Sequence, residues 1–183
     1  VTRERRVNRG PRAAADNRAA LIAAAREVFA ERGFDAPVHL IARRAGVGQG
    51  SLYRHFPDRE SIAVALFEEN ITQLEELAAR PGTTLGTVLS AMVDQIVASI
   101  AFVAMLAPAT DPRLIEANER VQRLIETRLE GARKAGEIRD DITTEDLMLA
   151  LGMVADRLRT ADAVSRTEVG HRAWELLRRG LCP

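Results

Sequence analysis

The sequence holds one cysteine in 183 residues, Cys182, so no internal disulfide can form and a reducing compartment, the cytoplasm, is the expectation. Aromatic residues are only 4% of the chain, whereas alanine and leucine are abundant, which favours helix over sheet. Three scattered histidines and that one cysteine cannot build a typical metal site. No glycine-rich phosphate loop and no G-x-S-x-G turn occurs. No enzyme activity, metal or cofactor is therefore expected. The most apolar stretch, Leu85 to Ala107, is interrupted by Ser90, Asp94, Gln95 and Ser99. Its charge-free tail, Ile96 to Ala107, is shorter than the roughly 20 residues a membrane-spanning helix needs. The first twelve residues carry five arginines with no apolar run directly behind them, so neither a secretory leader nor a membrane partner is expected.

Net charge is also missing, since 26 basic residues balance 26 acidic ones, and the total argues against a nucleic-acid partner. Its distribution argues the other way. Residues 1–60 carry 12 Arg against 7 acidic residues, an excess of +5, and the remainder carries −5. A basic front on an acidic rear is the asymmetry of a segment that faces a polyanion, although uneven charge is also common in helical proteins.

Residues 1–15, with Arg3, Arg5, Arg6, Arg9 and Arg12 around Gly10 and Pro11, read as a disordered basic arm. It either tracks DNA backbone or minor groove, or is a solubilising tail. Asp16 can cap a first helix to about Arg32, with Leu21, Ile22, Ala25, Val28 and Phe29 at helical spacing and Gly33 as its stop. Pro37 suits the first position of a second helix, with Val38, Ile41, Ala42 and Ala45 inward and His39, Arg43 and Arg44 outward. Gly46 supplies a left-handed turn, Val47 plugs the corner, and Gln49 to Phe56 forms a third helix. Two short helices joined by a glycine turn are the layout of a helix-turn-helix DNA reader.

The third helix has the side chains for that task. Gln49 can pair with adenine in the major groove, Gly50 permits close approach, and Ser51 and Tyr53 offer hydroxyls. Arg54, His55 and Arg59 offer donors to phosphates or bases, and Arg44 stands on the outer side of the preceding helix. Leu52 and Phe56 point to the core.

Beyond the reader, Asp58 can cap a long helix to about Arg80, with Ile62, Leu66, Phe67, Leu74 and Leu77 inward. Thr83 or Thr84 opens an apolar helix that ends before Pro108, and Pro112 starts a charged one to about Ala135. In the latter, the Glu116/Arg120 and Glu119/Arg123 pairs belong on a solvated face. Thr143 with Asp146 and Ser165 with Glu168 have capping-box spacing and open two final helices. The reading is all-α, eight or nine helices: a helix-turn-helix domain over residues 16–60, then a helical domain over 61–183.

Residues 16–67 resemble the DNA-binding domain of the TetR family of transcriptional regulators. The resemblance is carried by Val28-Phe29, Gly33-Phe34, Ile41-Ala42, Ala45-Gly46-Val47, Gly50-Ser51-Leu52-Tyr53, His55-Phe56 and Arg59-Glu60. It departs at Ala36-Pro37-Val38, where many members place a capping Thr, and at Arg59, where a Lys is more usual. The rest matches only in layout. The resemblance implies that Tyr53, His55 and Arg59 contact phosphates, with Gln49, Gly50, Ser51 and Arg54 nearer the bases. It implies an effector cavity where Met92, Ile96, Phe102, Met105, Leu106, Phe67 and Leu124 could meet, against the alternative of a closed core. Asp94 would be at a rim, paired, or a polar handle. It further implies a homodimer through the last two helices, on Leu147, Leu151, Val154 and Leu158, then Trp174, Leu177 and Leu181, although these faces could instead complete the protomer core. The expected function is a repressor on a palindromic double-stranded operator, released by a small apolar or amphipathic effector. The alternative is an activator or a protein-interaction module.

Overall fold

The computed structural model describes residues 11–98, 112–159, 161 and 165–183. Among these residues there are eight α-helices and no strand: α1 (Pro11–Arg32), α2 (Val38–Arg44), α3 (Gln49–His55), α4 (Arg59–Ala78), α5 (Leu85–Ala98), α6 (Pro112–Lys134), α7 (Thr144–Arg159) and α8 (Arg166–Leu181). The all-α reading holds. The chain divides into two compact units, one ending at Ile62 and one running from Ala63 to Pro183.

In the first unit α1, α2 and α3 pack on one another around Leu21, Ile22, Ala25, Val28, Phe29, Ile41, Leu52 and Phe56, all buried. α1 begins at Pro11, not at Asp16. Proline is tolerated in a helix's first turn and Ala13 to Ala15 are strong helix formers, so the helix extends into what the composition suggested was a disordered arm. The rest of that arm, residues 1–10, lies outside the described residues.

α2 ends as Gly46 takes a φ of 65°. The Val47 N–H then reaches the Ala42 carbonyl at 3.0 Å and the Gly46 N–H reaches the Arg43 carbonyl at 3.2 Å, the paired bonds of a Schellman motif. A side chain with a Cβ would be strained there, which is why the turn between the two short helices carries glycine. Val47 is half-buried at the corner. At the other end Pro37 is the N-cap, in extended conformation, rather than the first helical residue, and it provides no side-chain cap. Asp58 does cap α4: its carboxylate accepts the Ser61 N–H at 2.7 Å.

In the second unit α5 packs against α6, α7 and α8, and α7 packs against both α6 and α8. Leu85, Val88, Leu89, Val93, Ile125, Leu147, Val154, Leu158 and Trp174 form its core, joined by Val64, Phe67, Ile71 and Leu74 of α4. The capping box at α7 is formed in both directions, Thr143 N–H to the Asp146 carboxylate at 2.9 Å and Asp146 N–H to Thr143 Oγ1 at 3.2 Å. At α8 Ser165 holds helical backbone angles (φ −88°, ψ −8°) and makes no side-chain cap bond. Glu119 and Arg123 pair along α6 at 3.5 Å. Arg120, in contrast, forms a two-pronged bond to Glu75 of α4, at 2.9 and 2.6 Å, rather than pairing with Glu116. That bond holds the Glu75 carboxyl below its ordinary range.

Candidate nucleic-acid interface and effector cavity

α3 presents one uncovered polar face. Gln49, Gly50, Tyr53 and Arg54 are exposed, with Ser51 and His55 half-buried beside them, while Leu52 and Phe56 anchor the helix from below. Tyr53 is 52% exposed, high for an aromatic residue that could have packed inward. A Cβ built on Gly50 meets nothing within 4 Å among the described residues, so no packing between them demands glycine there. Six of the eight residues expected to bind DNA thus lie on α3, four of them exposed and two half-buried.

The other two, Arg44 and Arg59, are held by partners within the first unit. Arg44 forks onto two carboxylates of α1, Glu27 at 2.7 Å and Glu31 at 2.8 Å. The hydrogen bond donated by Arg44 lowers the Glu31 pKa, and Glu31 and Glu27, in accepting from it, raise that of Arg44. Two acidic partners already offset its charge, which weakens its attraction for a phosphate. Arg59 donates to the Asp35 carboxylate at 3.1 Å and to the backbone carbonyls of Asp35 and Ala36 at 3.2 and 3.3 Å. Its guanidinium lies over the Phe34 ring, 5.6 Å from the centroid. The link before α2, whose N-cap is a proline, is therefore held by Arg59. The sequence signal was present in the departure at Ala36–Val38, but the partner that compensates for it is more than twenty residues away.

The second unit contains a cavity of about 320 Å³, within the usual range for small-ligand sites. Phe67, Ile71 and Leu74 of α4, Met92 and Ile96 of α5, Val121 of α6 and Leu151 and Ala155 of α7 supply its apolar wall. Gln95, Asn118, Gln122, Asp156 and Arg159 supply polar groups. Of the residues expected at a cavity, Phe67, Met92 and Ile96 are in this lining. Leu124 is not: it packs half-buried against the core outside the lining. Phe102, Met105 and Leu106 lie outside the described residues. Gln95 could have been found from the sequence, as the one amide between Met92 and Ile96 on an otherwise apolar stripe. Asp94 is exposed and pairs with His171 of α8 at 2.8 Å, which decides among its three readings.

The residues expected at a dimer face have partners within the protomer, as the alternative reading of these faces has it. Leu147, Leu151, Val154, Leu158, Trp174 and Leu181 are buried within the protomer's own core, Leu177 packs half-buried against it, and Leu151 lines the cavity. Helices α7 and α8 must first bury their wider apolar stripes against α5. The large apolar side chains they leave exposed are Leu149 (64%), Met153 (53%) and Leu176 (54%).

Two family profiles match the chain: that of the bacterial regulatory proteins of the tetR family over residues 21–66, and that of the C-terminal domain of SbtR-like transcriptional regulators over residues 80–183. A transcriptional repressor of Corynebacterium diphtheriae, AcnR, is 29% identical over 147 residues, covering 74% of this chain and 75% of that protein. A TetR transcriptional regulator from Streptomyces coelicolor superposes with a TM-score of 0.65 at 29% identity, over 91% of this chain and 98% of that one. A gamma-butyrolactone receptor described as ArpA-like gives a TM-score of 0.57 at 25% identity, over 93% and 90%. The chain therefore belongs to the TetR family, a family of transcriptional regulators and not of enzymes.

Proposed function

We propose that the chain is a ligand-responsive transcriptional repressor that binds a palindromic operator as a homodimer and releases it when a small amphipathic effector fills the cavity. The observation that carries this reading is the uncovered polar face of α3, on which Gln49, Ser51, Tyr53, Arg54 and His55 offer hydrogen-bonding groups to base edges and phosphates around a glycine. Repression, rather than activation, is supported by the named repressor among its relatives. An effector is supported by the cavity and by the similar protein described as a receptor. Such a protein would act in the cytoplasm.

Two readers are needed for a palindrome, with their helices about 34 Å apart, one turn of DNA or a multiple of it. Leu149 and Met153 of α7 with Leu176 of α8 are the apolar side chains available for a dimer face. α4 supplies Arg59 to the reader at its start and Phe67, Ile71 and Leu74 to the cavity wall further along. A ligand that favours one placement of this helix would shift the population away from the DNA-competent spacing.

Fluorescence anisotropy with the DNA flanking the chain's own gene tests the reading. Wild type should bind in a salt-dependent manner, and Gln49→Ala should cost about 1–3 kcal/mol against the best site and relax its specificity. Equal binding of wild type and Gln49→Ala to operator and to random DNA would remove α3 from sequence recognition.

A further inference from the structure

The cavity wall contains one amide whose hydrogen bonding is half complete. Gln95 stands between Met92 and Ile96 on α5, and its Nε2 donates to the Asn70 backbone carbonyl of α4 at 3.1 Å. That bond fixes the orientation of the amide, because the reversed amide would set oxygen against oxygen. The Oε1 atom is thus an acceptor; it is buried and has no hydrogen-bond partner among the described residues. A buried acceptor without a donor is costly, and because Gln95 lines the cavity, a small shift of its side chain would bring Oε1 to a donor on whatever fills it. The charged lining residues, Asp156 and Arg159, are both exposed, so an ionic headgroup would be met at the mouth and not beside Gln95.

We infer that the effector is a mainly apolar molecule whose hydroxyl or amide N–H donates to Gln95 Oε1, so that the cavity selects donor-bearing amphiphiles over hydrocarbons, ethers and esters of equal size. This inference rests on the cavity being the effector site. A volume of about 320 Å³ accommodates about ten water-sized groups at roughly 30 Å³ each, which sets the scale of the ligand. The donor meets Gln95, and the apolar remainder lies against Phe67, Ile71, Met92 and Leu151.

Isothermal titration calorimetry of the whole chain with nonanol and with methyl octyl ether tests this, because the two match in non-hydrogen atoms and differ in the donor. The alcohol should bind on the order of tenfold more tightly. In Gln95→Leu the two affinities should converge to within about twofold, mainly through weaker binding of the alcohol. Equal affinities in the wild type, or an alcohol preference that survives in a Gln95→Leu protein with native circular dichroism, would overturn the donor inference while leaving the cavity as a ligand site. Failure of both probes to bind would overturn the cavity reading itself. Should Gln95→Leu not fold, the wild-type pair alone decides.

Discussion

Gly170 sits in α8 where that helix meets α5 and α7, and replacing it with alanine gives a prediction whose size follows from distances. A Cβ at this position would lie 2.4 Å from Val97 Cγ2 and 3.3 and 3.4 Å from the two methyl carbons of Leu158. Carbon atoms in contact prefer about 3.5–4.0 Å, so the nearest contact must open by about 1 Å. Val97 is β-branched and cannot swing aside within its rotamer, and both it and Leu158 are buried. Overpacking of this kind costs about 1–3 kcal/mol. Against it stands the gain of roughly 0.8–1.0 kcal/mol from alanine's higher helix propensity. The net expectation is a loss of about 1 kcal/mol. Gly131, exposed on α6, provides the control: a methyl group there would meet nothing within 4 Å among the described residues, and the propensity gain stands alone. Gly131→Ala should therefore raise the melting temperature by about 2–4 °C and Gly170→Ala should lower it by a similar amount, at one protein concentration. Thermal melts by far-ultraviolet circular dichroism read both. If Gly170→Ala stabilised as much as Gly131→Ala, the close approach of α8 to α5 would be refuted.

Three further outcomes follow from the geometry. Arg59→Met should lower stability by about 1–2 kcal/mol through loss of its bonds to Asp35 and Ala36, while leaving the salt slope of operator binding unchanged; a slope reduced by about 0.9 would return Arg59 to the phosphate backbone. Hydrogen bonds hold the carboxyl pKa values of Glu31, Glu75, Asp141, Asp146 and Glu175 below their ordinary values of 3.8 for Asp and 4.5 for Glu. Their contribution is complete above those ordinary values and is lost as pH falls through the depressed ones, so the urea midpoint should hold steady from neutral pH and then drop below about pH 4.5; a midpoint unchanged at pH 3 would refute it. Deleting residues 1–12 should flatten the salt dependence of DNA binding more than any single substitution on α3, by about 0.9 in slope for each phosphate contact removed, and an unchanged slope would take those residues out of the interface.

The parts of this structure that were legible in the sequence are those decided by neighbours in the chain. The α2–α3 turn, the Asp58 cap and the Thr143–Asp146 box each depend on residues no more than five positions apart, and each forms as its pattern implied. What was not legible depends on partners brought together by folding. Periodicity correctly gave α7 and α8 an apolar stripe, but a stripe does not say whether α5 or a second protomer covers it. Leu147 and Leu149 are two residues apart, yet one is fully buried and the other is 64% exposed. Spacing alone pairs Arg120 with its helical neighbour Glu116, but Arg120 reaches Glu75, 45 residues away, because two helices held side by side offer it a two-pronged geometry that an exposed neighbour along the helix does not. Asp94 with His171 and Gln95 with Asn70 are likewise pairs with no signature along the chain. In the first unit, spacing gave the two short helices and their turn but not which arginines the fold engages.

That last point changes how the basic front of the chain should work. Of the excess of +5 in residues 1–60, +4 falls in the first twelve residues, which hold five Arg and one Glu. Residues 13–60 carry seven Arg against six acidic residues, and are therefore close to neutral. Within them Arg44 is bound to Glu27 and Glu31, and Arg59 to Asp35. On α3 itself the exposed or half-buried polar groups are mainly uncharged, Gln49, Ser51 and Tyr53, with Arg54 as its exposed arginine. Neutral groups at base edges discriminate between sequences but add little to long-range attraction, whereas clustered arginines attract any duplex and discriminate little. On the proposed reading, encounter and salt dependence would come from residues 1–12 and sequence choice from α3. A substitution on α3 should then change which DNA is bound with little change in salt slope, and a change in the basic stretch should alter the affinity for every sequence alike.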